Sequence, residues 1–118
     1  MVQQDRFVLA KLGASRLAIS TSELAHIVRG PKSHEWRGNG SVRAWCTFEG
    51  SLIWVLDPHV LFEGASKLIS IDREWLLVLK AAGGLCRLGM FADDVKGPYG
   101  QDRIDGHLVV RSRTLQNI

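Results

Sequence analysis

The chain has 118 residues, 46% of them hydrophobic and 23% charged, a balance that excludes disorder and coiled coil and suits one domain, or two small lobes around one core. Fifteen Lys and Arg against twelve Asp and Glu leave a net charge of +3, and the signs are interleaved, so no concentrated basic face for nucleic acid stands out. Glycine is abundant at 12 and proline scarce at 3, which favours many tight turns between short strands.

The start of the chain, Met1-Val2-Gln3-Gln4-Asp5-Arg6, is polar and lacks the apolar core of a signal peptide. No apolar run reaches the roughly 18 residues that a membrane helix requires. A cytoplasmic location is therefore expected. Cys46 and Cys86 lie in separate apolar runs, with no CxxC and no zinc spacing. Free, buried thiols in a reducing compartment are expected.

Residues 6–13 alternate, with Phe7, Leu9 and Lys11 on one face and Val8, Ala10 and Leu12 on the other. A turn at Gly13-Ala14-Ser15 leads into 16–20, and the spacing predicts a hairpin whose first strand is covered on both faces. Ser20-Thr21-Ser22-Glu23 has the form of a capping box. Leu24, Ile27 and Val28 would then share a helical face, which predicts one or two helical turns ending near Arg29-Gly30-Pro31. Residues 30–40 read as a loop holding one isolated Trp36, expected to fold back as a lid on the core.

Residues 42–48 and 51–57 flank Glu49-Gly50 and predict a second tight hairpin, with Gly50 in the positive-φ position. Asp57-Pro58 reads as a cap followed by the first helical residue of a short turn through Phe62. Residues 63–72 form a polar linker with one apolar island, Leu68-Ile69. Residues 75–79 are continuously apolar and predict a strand covered on both sides. Gly83-Gly84 turns this strand into 85–92, which Asp93-Asp94-Val95 ends. Residues 96–105 read as a Gly-rich loop, 107–111 as a last strand, and 112–118 as a terminal tail. Many short strands with little helix predict small β-barrels or a sandwich.

His26, His34, His59 and His107 have no second ligand type at metal-binding spacing. Asp93 and Asp94 are adjacent, so on a strand their side chains diverge. No GxSxG elbow, P-loop or GxGxxG is present, and neither thiol has an evident cationic neighbour. No catalytic residue, metal or cofactor is predicted, and no small-molecule substrate. A binding role is the remaining class.

Three stretches together resemble the CheW-like family, the coupling proteins of chemotaxis-type signalling. FVLAKLGASRLAISTSELAHIV from Phe7 is similar to the family's opening. VRAWCTFEGSLIWVLDPHVLF from Val42 resembles its central signature, where Gly50, Asp57, Leu61 and Phe62 match. WLLVLKAAGGLCRLGMFADDVKG resembles the second-lobe hairpin, with Gly89, Asp93 and Val95 in a Gly-x-x-x-Asp-x-Val pattern, and IDGHLVVRSRTL resembles the closing strand. The resemblance covers nearly the whole chain. It implies a mainly β fold of two SH3-like five-stranded barrel lobes sharing a core, roughly 15–65 and 66–110, completed by the terminal strands.

The resemblance also implies a non-enzymatic adaptor joining a chemoreceptor's cytoplasmic tip to a histidine kinase's regulatory domain, in a flagellar, pilus or gliding pathway. Partner contacts carried over by position are Leu24, His26 and Ile27 on the capped segment, Ala44, Glu49 and Gly50 at the hairpin, and Val95. Three positions depart from the family pattern: Glu49 stands where an Arg is usual, Trp54 where a Pro is frequent, and His26 where an acid is common. The stretch 95–104 is short for the family, which leaves open a missing second-lobe element completed by a second copy, hence a homodimer. An alternative from the residues themselves is a small nucleic-acid-binding barrel using the basic loop 29–43, with Arg29, Lys32, Arg37, Arg43 and Trp36.

Overall fold

The computed structural model describes residues 6–37, 40–62, 65, 70–83 and 86–111. Among the described residues ten strands appear in order: β1 Phe7–Leu12, β2 Ser15–Ser20, β3 Leu24–Arg29, β4 Ser33–Glu35, β5 Val42–Phe48, β6 Ser51–Leu56, β7 Trp75–Gly83, β8 Cys86–Ala92, β9 Asp94–Tyr99 and β10 Leu108–Val110. One helical turn, α1 Pro58–Leu61, follows β6. The fold is mainly β, as the short strands and abundant glycine predict.

The strands form two sheets. A four-stranded sheet has the order β10-β2-β1-β9, and a six-stranded sheet the order β3-β7-β8-β6-β5-β4. The hydrogen-bonded division is thus four and six, and strands on both sides of residue 65 share the larger sheet. Alternation along the central strands separates two interiors. Leu77 and Leu79 of β7 and Leu88, Met90 and Ala92 of β8 point to one cluster, joined by Ala10, Leu17, Ile19 and Val110 of the smaller sheet. Leu76, Val78 and Phe91 point the other way, onto Ala44, Cys46, Ile53 and Val55. The first cluster binds the sheets together, and the second fills the curled larger sheet. Each fully buried Leu or Ile stabilises the fold by about 1.5–3 kcal/mol relative to exposure. The continuous apolar run at 75–79 is explained, since both faces of β7 are covered.

Asp93 sits at the junction between β8 and β9, where the chain passes from one sheet to the other. Its amide donates to the Lys11 carbonyl at 2.7 Å. Its carboxylate accepts from the Gly13 amide at 2.8 Å and from Arg73 at 2.9 Å. One side chain therefore ties the β1–β2 turn to the segment entering β7. Burial pushes the Asp93 carboxyl up, but the Gly13 amide and Arg73 more than offset it and leave it below the ordinary carboxylate range.

Three expectations are corrected. The segment after Ser20 is one 3-10 turn, Thr21–Glu23, followed by strand β3, and Ser20 makes no side-chain cap. The register of β3 against β7 shifts between Leu24 and His26, so a bulge breaks the period of two. Leu24, Ala25 and Val28 all turn inward as a result, and the sequence mimics helical spacing. The 30–40 stretch contains β4, paired with β5. Residues 94–99 form β9, paired with β1, where a loop was expected. Pro98 disguises it, yet β9 is an edge strand, where a missing N–H costs no ladder bond. The linker island Leu68-Ile69, Gly84 of the second predicted turn, and the tail 112–118 lie outside the described residues.

Candidate partner-binding site

The Glu49-Gly50 turn joins β5 to β6 with both residues at positive φ, 49° and 78°. Two such residues match the twist of the flanking strands, which is why the hairpin closes in two residues. Glycine adopts this conformation freely, whereas a glutamate there costs about 1–2 kcal/mol. The turn holds Phe48 and Glu49 at the end of the larger sheet.

Across from them stands β3. His26 faces Phe48 with ring centroids 4.8 Å apart. Beneath the pair is a cleft of about 70 Å³ lined by His26, Phe48, Glu49, Ser51, Ile53, Val78 and Arg87. Its floor is apolar, from Ile53 and Val78, both fully buried. Its rim carries one carboxylate and one guanidinium, and among the described residues neither is in an ion pair. The next residue on the edge strand, Ile27, is 43% exposed.

The structure therefore brings His26 and Glu49 together and adds Phe48 and Arg87, which the sequence did not single out. The other carried-over positions lie elsewhere. Leu24 and Val95 are half-buried against the inter-sheet cluster. Ala44 is fully buried and presents no atom to a partner. Gly50 shapes the turn.

A second feature lies on the opposite face of β5. Trp45 and Trp54 are direct cross-strand partners. His34 stacks on Trp45 at 4.1 Å, and Trp36 meets Trp54 edge-on at 5.1 Å. The result is an aromatic row across β4, β5 and β6. Trp36 does not seal the core as a lid, since it remains 42% exposed. A two-residue turn at 49–50 already places 45 opposite 54, so register counting would have found this pair.

The basic loop is largely neutralised. Arg29 pairs with Glu74 at 2.8 Å, Arg37 with Glu35 at 3.6 Å, and Arg43 with Asp57 at 3.2 Å. Three of its four cations thus face carboxylates, which removes the electrostatic basis of the nucleic-acid alternative. Asp57 is fully buried and also accepts from the His59 amide at 3.0 Å, the cap predicted for α1. Cys46 is buried beside Ser33, 3.3 Å from its hydroxyl. Burial pushes its thiol up, partly countered by that hydrogen bond, so it is a poor nucleophile. Among the described residues no His, Cys, Asp or Glu cluster of three or more fits a metal ion, and no helix is long and apolar enough to cross a membrane.

Among solved structures, the chain is similar to the scaffolding protein TtCheW from Thermoanaerobacter tengcongensis, with a TM-score of 0.62 over 85% of this chain and 68% of that one. The fold is CheW-like. Sequence identity over the match is 14%, so the likeness is one of architecture. No family model matches the sequence, and no curated protein matches it.

Proposed function

We propose that this protein is a non-enzymatic, cytoplasmic adaptor that couples a chemoreceptor-type protein to the regulatory domain of a histidine kinase, in a chemotaxis-like pathway. The observation that carries the reading is the His26–Phe48–Glu49–Arg87 cleft. Its volume of about 70 Å³ is well below the roughly 300–1,000 Å³ of small-molecule sites. It suits the tip of one partner side chain, not a metabolite. An apolar floor with a charged rim is the anatomy of a protein contact. Glu49 occupies a strained backbone position that glycine would fill without cost, and such strain concentrates at functional sites. The CheW-like fold supports the class of partner.

An adaptor needs two faces, and the aromatic row of His34, Trp45, Trp54 and Trp36 supplies the second. Tryptophan is enriched among the residues that dominate interfaces. Each contact is small, so affinity per site is modest and a repeating array multiplies it. Sedimentation of the protein with the kinase regulatory domain tests the reading. A 1:1 complex is expected, and separate boundaries at tens of micromolar would refute it.

A further inference from the structure

The outer face of the four-stranded sheet carries an arrangement that the adaptor reading does not use. Arg16 of β2 is the direct cross-strand partner of Lys11 on β1. On its other side Lys11 is partnered by Asp94 of β9. Two cations placed directly opposite each other destabilise a sheet. Asp94 lies 3.8 Å from Lys96, and the charge of Lys11 acts on Asp93, a carboxylate already engaged by Arg73 at 2.9 Å. Among the described residues Arg16 has no acidic partner. Lys11, Arg16, Asp94 and Lys96 line an open cavity of about 280 Å³, together with Leu9, Ala10 and His107. Among the lining residues three cations face one carboxylate, and Arg73 offsets Asp93 just outside, which leaves an imbalance of two charges.

We propose that this cavity is a binding site for a small phosphate dianion, either inorganic phosphate or a compact phosphate monoester. A dianion matches the charge imbalance, and the volume falls just under the range of drug-sized ligands, which suits a compact ligand. Arg16 offers the planar fork that suits phosphate oxygens, and the lysines act as point charges. Bound phosphate between Lys11 and Arg16 relieves their repulsion, so it stabilises the fold by mass action.

The test is amide NMR titration and calorimetry with inorganic phosphate and with glycerol 3-phosphate, each against sodium acetate and sodium chloride at matched ionic strength. Shifts confined to 9–11, 16, 94–96 and 107 are expected with both phosphates and with neither control. Stronger binding of glycerol phosphate identifies a monoester as the ligand, and stronger binding of inorganic phosphate identifies the free ion. Arg16→Gln, an exposed change, should weaken binding about tenfold or more, and Lys11→Gln should do likewise. Equal responses to acetate or chloride, no response to either phosphate, or unchanged affinity in folded Arg16→Gln would each overturn the assignment.

Discussion

His26 and Phe48 touch through their rings at 4.8 Å, although β7, β8 and β6 separate their strands in the sheet order. The larger sheet must curl for its β3 end to reach the β5–β6 turn. The cleft therefore exists only because the larger sheet curls. His26 is exposed and Phe48 is half-buried against the inner cluster, which separates binding from stability. His26→Ala should move the melting temperature by no more than about 4 °C. It should weaken capture of the partner about fivefold or more. Parallel melting and binding curves check both halves of the statement.

The Asp93 junction gives a pH dependence. Its folded pKa lies below the unfolded value of about 3.9. The stability it contributes is therefore fully present above that value, and is lost as pH falls through the folded pKa. Asp93→Asn removes the contribution at every pH. The melting temperatures of the two proteins should differ most near neutral pH, and the gap should narrow as the pH falls below the ordinary carboxylate range. A gap of constant width down to the acid unfolding of both proteins would show that Asp93 does not act through its charge.

Gly89 is needed for space, not for backbone freedom. A Cβ there would lie 2.8 Å from an Ile53 methyl, 3.1 Å from a Leu76 methyl and 3.2 Å from the Leu77 carbonyl. Gly89→Ala should therefore cost about 1–3 kcal/mol through overpacking between β8, β6 and β7. The melting temperature should fall by roughly 5–15 °C. Ile53→Ala removes the crowding Cγ2 methyl, so it should destabilise the Gly89→Ala protein less than it destabilises the natural chain. Thermal melts of the single and double variants measure the coupling.

Much of the architecture was legible because local signals and tertiary packing agreed. The Glu49-Gly50 turn, the Asp57 cap and the doubly covered β7 each follow from residues within one short window. The misreadings arose where distant strands decide. The bulge at Leu24–His26 imitates helical spacing, and only pairing with β7 reveals a strand. Gly97-Pro98 resembles a loop until β1 is seen beside it. His26 and Glu49 are exposed, as polar residues usually are, but their nearness depends on sheet curl, which no single window encodes. Arg87 carried no local signal at all, since it reaches the cleft through β8 pairing with β6.

Calorimetric titration of the kinase regulatory domain into this protein, alongside its Glu49→Arg variant, probes the adaptor account most directly. Saturable 1:1 binding is predicted for the natural chain. Glu49→Arg reverses the charge at the cleft rim and should change the affinity at least about fivefold, with an unaltered melting temperature. No heat of binding to the regulatory domain would contradict the adaptor role, and equal affinities for the two proteins would contradict the cleft as its site.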